Sequence, residues 1–411
     1  MKKRYDIAII GGGAAGLAAA ISAKRTSRGL SVGIIERLPK VGKKILATGN
    51  GRCNLSNSDL SSDRYHGSCK KLLELTNRFS VPKFFESLGV LCADDGFGRI
   101  YPHCRSAASV LDALKLETEK LGVEEICGYE VGRIELRNYS GRELYAISSE
   151  KDTVTAKKVI LAGGGKSQSA LGSNGSMFEI CRSTGIDTVL PYPALVPLRT
   201  DTALVKPLKG VRAEANVMFR ANDRIIASSR GEVQFTEELL SGICVFDLSY
   251  LYEQYKAGSE LQLDLLPDMS SEDVSELLKG IRSIRSQARS DDFLSGIFPY
   301  TLGAYILKRS IPKYPKTAGN ISDDKLREIA VNIKSLRFPI TGTAGYERSQ
   351  VTGGGISYNE LTGKLELKKS RGMYACGEVL DIFGDCGGYN LDFAFSSGAI
   401  AGESAALTAS V

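Results

Sequence analysis

The sequence predicts an α/β fold interrupted first by a strand-rich insertion and then by a helical one. Three observations predict it. A strand-type run, "YDIAII" at residues 5–10, passes through glycines into "LAAAISAKR", a run of strong helix formers without a breaker. A second strand–glycine–helix unit stands at the other end of the chain, residues 372–406. Between them the α/β rhythm stops at "PYPALVPL", residues 191–198. β-type alternation follows to about Leu266, and a helical pattern runs from Ser270 to about Ser335.

The first unit carries Gly11, Gly13 and Gly16 in G-x-G-x-x-G spacing between strand and helix. Gly11 permits the tight turn. Gly13, lacking a Cβ, lets backbone N–H groups approach a pyrophosphate. Gly16 lets helix and strand pack closely. Ala14 and Ala15 open the helix, where unpaired N–H groups point at a phosphate. "LSVGIIE", residues 30–36, predicts a second strand ending at Glu36, 20 residues after Gly16. An acidic side chain there accepts hydrogen bonds from ribose hydroxyls, and Arg37 follows it. This is a Rossmann-like dinucleotide unit.

"GKKILATGNGRCN", residues 42–54, comes next. Gly42, Gly49 and Gly51 let the backbone wrap a ligand. Lys43 and Arg52 can neutralise a pyrophosphate, and Thr48 and Asn54 can hydrogen-bond it. Cys53 lies in the same loop, but no resolving cysteine stands nearby to make it a redox thiol. Ser106 begins a predicted helix, so a structural role is preferred for His103 and Arg105 beside it. Thr236 and Ser241 read as turn and cap residues.

The C-terminal unit decides which dinucleotide. It predicts a strand at 373–376, then Gly377 and Glu378, a glycine-rich loop ending at Gly388, and a small-residue helix that starts with Asn390 and Leu391. This arrangement resembles flavin enzymes of the glutathione-reductase type. There the Gly-Asp or Gly-Glu pair meets the ribityl and phosphate region, and the helix N-terminus stabilises negative charge on the flavin ring. In similar flavoproteins a residue at the position of Val131 pairs its backbone with the adenine edge. The expected cofactor is FAD. "ILAGGGKS" and "VTGGGISY" each begin a G-x-G, but Gln168 and Tyr358 stand where the third glycine belongs. One dinucleotide fold is therefore expected, with NADH or NADPH docking transiently as electron donor.

Composition excludes other classes. The chain has 411 residues and is 43% hydrophobic, enough for two or three domains with ordinary cores. No apolar stretch approaches ~18 residues, so no membrane span is expected. The N-terminus enters a strand directly after "MKKR", so no signal peptide and a cytoplasmic location are expected. Nine cysteines at irregular spacing, with no C-x-x-C pair, give neither a zinc site nor a dithiol, and no metal is expected. Two histidines exclude Ser-His-Asp chemistry as a reading. A net charge of +6, spread thinly and without a long basic run, argues against an RNA substrate, and no nucleic-acid partner is expected. A small-molecule substrate is expected; the oligomeric state is open.

Four segments, "GKKILATGNGRCNLSN", "GRIYPHCRSAASVLDAL", "GEVQFTEELLSGI" and "YACGEVLDIFGDCGGYNLDFAFSSGAIAG", resemble one bacterial family of FAD-dependent oxidoreductases over nearly the whole chain. Members include an aminoacetone oxidase and a bile-acid reductase acting on 3-oxo unsaturated intermediates. The resemblance implies an FAD domain interrupted by a β-barrel-like domain and a small helical domain. The expected divisions are 1–190 with 346–411, 191–268 with 336–345, and 269–335. Two positions depart from the family pattern: Asp392 stands where Gln is usual, and Ile243 where Pro is. Asp392 beside a flavin would oppose negative charge on the ring.

The expected reaction is NAD(P)H-dependent reduction of a C=C bond conjugated to a carbonyl, on a 3-oxo-Δ4 steroid or bile-acid-like substrate. The resemblance to the bile-acid branch motivates it. A tyrosine or an ordered water could supply the proton; Tyr300, Tyr305 and Tyr346 are candidates. The apolar run at 293–307 either covers a flat substrate or forms the helical core. Oxygen-dependent amine oxidation, an RNA-modifying flavoprotein and a non-catalytic flavin protein are the alternatives.

Overall fold

The computed structural model describes residues 3–410, which divide into two compact units. One runs up to Pro193 and resumes at Gln350; the other is Ala194–Ser349.

The first unit is built on a seven-stranded sheet. Strand β1 (Arg4–Ile10) leads into helix α1 (Ala14–Thr26) and strand β2 (Val32–Glu36). Helix α2 (Ala107–Lys120) precedes β3 (Glu124–Cys127); β4 (Arg133–Tyr139), β5 (Arg142–Ser148) and β6 (Thr153–Leu161) follow. The order is β3-β2-β1-β6-β5-β4. β1 pairs in parallel with β2 and β6, and Ile7, Ala8 and Ile9 are fully buried. Burial on both faces is why "YDIAII" reads as a continuous apolar run.

β6 divides its far edge between two partners. Thr153–Ala156 pair antiparallel with β5, while Val159, Ile160 and Leu161 pair in parallel with Met373, Tyr374 and Ala375. The C-terminal strand thereby enters the sheet beside β6, on the side away from β1. Helix α3 (Ser176–Ser183) follows β6.

The second unit closes six strands into a barrel: β7 (Leu198–Thr200), β8 (Arg212–Ala221), β9 (Arg224–Phe235), β10 (Leu239–Ser241), β11 (Glu260–Asp264) and β12 (Leu336–Thr343). Their order is β7-β10-β9-β8-β11-β12, with β12 returning to β7. Asn222 and Asp223, both at positive φ, turn the long β8–β9 hairpin. Ala215, Val217 and Phe219 alternate inward, opposite Leu261 and Leu263. Helices α4 (Ser271–Ile284), α5 (Tyr300–Ser310) and α6 (Asp323–Lys334) lie between β11 and β12. A Ser270–Asp273 capping box starts α4.

Barrel and helices share one hydrophobic core, so the stretch expected as a separate helical division packs as part of one body. Phe293, Leu302 and Ile306 are fully buried in that core. The run at 293–307 is interior rather than a cover: Leu302 and Ile306 lie on one face of α5, and Phe293 joins the same core from the turn before it.

The chain re-enters the first unit through β13 (Val351–Ile356), which pairs with the strand Thr188–Ala194. β14 (Met373–Ala375) and helix α7 (Tyr389–Ala409) complete it. α7 lies on α1 through glycines. A Cβ on Gly398 would stand 2.2 Å from the Ala15 carbonyl oxygen, and one on Gly402 2.1 Å from that of Ala19. Among the described residues no helix is long and apolar enough to cross a membrane.

Candidate active site: an FAD cradle built from both ends of the chain

The three motif glycines have separable roles. Gly11, at φ +107°, turns against β6: a Cβ there would lie 2.4 Å from the Ala162 carbonyl oxygen. Gly16 crosses β1 so closely that a Cβ would stand 1.9 Å from the Gly11 oxygen. Gly13 faces open space, with nothing within 4 Å of a Cβ, and caps α1 without a side-chain hydrogen bond. The N-terminus of α1 thus presents bare N–H groups, the arrangement that receives a phosphate.

Glu36 ends β2 beside this turn. Its carboxylate accepts from the N–H of Gly12 at 2.8 Å and from that of Leu38 at 2.8 Å. A carboxylate has about four lone-pair sites, so capacity for ribose hydroxyls remains. Glu36, Gly11, Arg37 and Val131 line one cleft, with Tyr129, Gly163, Asn174 and Met177 also in its walls. Arg37 donates to the Gly172 carbonyl, which fixes a wall of the cleft. We expect Glu36→Ala to weaken FAD binding by about 1–3 kcal/mol, or roughly 5- to 150-fold, measured by flavin fluorescence titration.

The loop after β2 differs in detail from expectation. Lys43 donates to the Ala170 carbonyl at 3.0 Å. Its neighbour Lys44 pairs instead with Glu378 at 2.8 Å, and the other Glu378 oxygen accepts the Thr352 N–H at 3.0 Å. Thr48 donates its hydroxyl to Ile45 at 2.6 Å. Gly49, Asn50, Gly51 and Cys53 all have positive φ, which coils the loop tightly. Arg52 lies over the Tyr101 ring at 5.9 Å, with Arg105 over the same ring at 4.3 Å. Burial pushes the Cys53 thiol up to about 11, so it is no thiolate at neutral pH.

Asn54 points to a ligand. Its side-chain oxygen is buried without a hydrogen-bond partner among the described residues. It faces Gly388, whose Cβ would lie 2.8 Å from it and 2.3 Å from the Ser56 carbonyl oxygen. Gly388, at φ +105°, caps α7, again without a side-chain hydrogen bond. Gly377, at φ +73°, sits against Ala15 of α1, its N–H donating to Ser397 at 3.0 Å. Asn390 is occupied in the loop, exchanging two 2.8 Å hydrogen bonds with the Gly384 backbone. Leu391 packs on the domain core.

The two ends of the chain therefore meet. One bare helix N-terminus, at Gly13, belongs to α1, and a second, at Gly388, to the helix packed on it. The family described as "HI0933-like protein Rossmann domain" matches residues 5–404. The chain belongs to the HI0933-like Rossmann family.

Over 408 residues it is 35% identical to the 3-dehydro-bile acid delta(4,6)-reductase of Clostridium scindens, covering 97% of this chain and 98% of that protein. Over 419 residues it is 29% identical to the ribosomal RNA dihydrouridine synthase of Escherichia coli, covering 96% of each. A crystal structure of the 3-ketosteroid-delta4-(5alpha)-dehydrogenase of Rhodococcus jostii RHA1 shares the fold, with TM-score 0.51, 15% identity, and coverage of 98% of this chain and 97% of that one. As a member of the HI0933-like family, the chain is a flavin-dependent oxidoreductase with an FAD-binding Rossmann domain.

The residues fit FAD: two uncapped helix ends, an orphaned amide oxygen beside one of them, and an acidic strand end beside the other. Sequence reasoning missed Lys44, Thr352, Tyr129, Asn174 and Met177. Gly172 and Gly175, both at positive φ before α3, were a usable signal for the last two.

Proposed function

We propose that this chain reduces a carbon–carbon double bond conjugated to a carbonyl, taking electrons from NADH or NADPH. Carrying the reading is what its full-length relatives have in common. One is named for reducing Δ4,6 bonds of a 3-dehydro bile acid, the other for making dihydrouridine from uridine. The uracil C5=C6 bond is conjugated to the C4 carbonyl, as a steroid Δ4 bond is to the 3-oxo group. Both are enone reductions, which need hydride at the β-carbon, a proton at the α-carbon and charge stabilisation at the carbonyl oxygen.

Bound FAD supplies the hydride chemistry; the protein supplies binding, orientation and electrostatics. We assign the FAD-binding role to the first unit. Gly13 and the first N–H groups of α1 would receive the pyrophosphate. Glu36 would hold the ribose, and Val131 and Tyr129 would flank the adenine. Gly388, Asn54 and the N-terminus of α7 would face the flavin. A cytoplasmic location goes with this reading.

A 3-oxo-Δ4 steroid or bile-acid-like substrate is the first reading, on the 35% relative. Uridine in RNA is the second, favoured by relatives at 29% and 26% identity. Stopped-flow absorbance tests both. Enzyme reduced anaerobically with NADPH or NADH is mixed with a 3-oxo-Δ4 steroid or with a ribosomal RNA fragment, and flavin reoxidation is followed. We expect reoxidation by one of them. Reduction of the flavin by a small aminoketone, with peroxide release in air and no response to either enone, would overturn the proposal in favour of an amine oxidase.

A further inference from the structure

Asp392 lies in the first turn of α7, its N–H donating to the carbonyl of Gly388 at 3.0 Å. It is 2% exposed. Its carboxyl accepts from the Ser56 hydroxyl at 2.5 Å. Ser56 comes from the short strand after the Gly42–Arg52 loop, so this contact ties that loop to the start of α7. No cation pairs with Asp392 among the described residues; burial and the Ser56 hydrogen bond are the influences on it. Tyr65 faces it, a buried phenol pushed up by burial and then by the Asp392 charge. Tyr389, three residues back on α7, packs edge-on against Tyr65 with ring centroids 5.6 Å apart. Neither tyrosine offers positive charge. The orphaned Asn54 oxygen also stands against Gly388, beside the Ser56 carbonyl.

We propose that Asp392 is a proton-holding residue for the flavin, binding a proton as the cofactor gains negative charge. The inference rests on FAD lying with its ring at the N-terminus of α7, and not on which substrate is reduced. Hydride transfer to the flavin brings two electrons and one proton and leaves one negative charge. A carboxylate buried beside that charge, without a cation, takes one further proton from solvent. Two electrons are then accompanied by two protons. Burial raises the carboxyl to about 7, while the Ser56 hydrogen bond pulls the other way. The effect therefore belongs to the range above neutrality, where Asp392 is ionised before reduction.

The test is the potential of the bound flavin between about pH 7.5 and 9, measured with redox dyes and no substrate. A two-electron couple moves about 30 mV for each tenfold change, so two protons give about 60 mV per pH unit and one gives about 30. The wild-type chain should show the steeper slope and Asp392→Asn the shallower. Ser56→Ala, which keeps the carboxyl but removes the donor to its ionised form, should move the onset of the steep region to higher pH. A reduced-minus-oxidised infrared spectrum of the wild-type protein should show a carboxylic-acid band that grows on reduction. Equal slopes in wild type and Asp392→Asn, or a wild-type spectrum without that band, would overturn the inference. Failure of the purified protein to hold FAD would instead overturn the cofactor reading, and is seen in the visible spectrum before any potential is measured.

Discussion

Gly16→Val is expected to unfold the nucleotide unit, whereas Gly13→Ala should leave the apoprotein folded and cost it FAD. Two glycines three residues apart in one motif thus fail in different ways. At Gly16 a Cβ would stand 1.9 Å from the Gly11 carbonyl oxygen, a backbone atom that cannot move without breaking β1 from α1. Overpacking costs about 1–3 kcal/mol where side chains can shift and more where a backbone atom blocks the space, against a total stability of about 5 kcal/mol for a marginal domain. At Gly13 the conformation is ordinary, φ −83°, and no atom lies within 4 Å of a Cβ. Alanine there costs the apoprotein about 1 kcal/mol or less as a poorer N-cap. The methyl would occupy the approach to the bare N–H groups of α1. Losing one or two charge-assisted hydrogen bonds, at about 1.5–3 kcal/mol each, lowers FAD affinity roughly 10- to 100-fold or more. Thermal unfolding of the apoproteins and flavin fluorescence titration separate the two outcomes. Equal loss of stability in both variants would remove the phosphate role from Gly13.

That contrast was legible in the sequence because each motif glycine answers to local geometry. The turn, the helix start and the strand–helix crossing all lie within six residues. The return of the C-terminal unit was legible for a similar reason. Its strand, Gly377 and the small-residue helix fit nothing except close packing on α1, as Gly398 and Gly402 now show against Ala15 and Ala19. What sequence could not supply was side-chain direction. Lys43 was the expected phosphate cation, yet it is spent on the Ala170 carbonyl while Lys44 meets Glu378. The two lysines open a five-residue helix, Lys43–Ala47, on which adjacent residues point about 100° apart, and only tertiary contact decides which faces the site. Asn390 likewise reads as a ligand residue in its motif, but it closes the loop at Gly384. The glycines at 163–165, set aside as an incomplete motif, supply Gly163 to the wall of the Glu36 cleft. Asp392 showed only as a departure from the family pattern. Its burial depends on Ser56, 336 residues away in sequence.

The same carboxyl makes the second large prediction: Asp392→Asn should stabilise the apoprotein above neutral pH and have little effect near pH 4. The folded-state value is about 7 against an ordinary 3.8, with burial as the main cause. The folded protein therefore binds more protons than the unfolded chain between those values. For a group raised on folding, its contribution is fully present below the unfolded value and is lost as pH rises through the folded one. At about 1.36 kcal/mol per unit, the loss is on the order of 4 kcal/mol by pH 8. Asparagine keeps the size and can still accept from Ser56, but carries no charge to bury. Urea unfolding of wild-type and variant apoproteins at about pH 5 and pH 8 reads the difference directly, since other titrating groups are common to both. The variant should gain several kcal/mol relative to wild type between the two conditions, through a higher urea midpoint at unchanged slope. A gap that does not change with pH would mean that Asp392 titrates as an ordinary carboxylate. A buried carboxylate that costs the fold this much in alkaline solution is explained if the charge it must shed is matched to charge arriving on the flavin. The stability slope measures the first half of that exchange without any cofactor present.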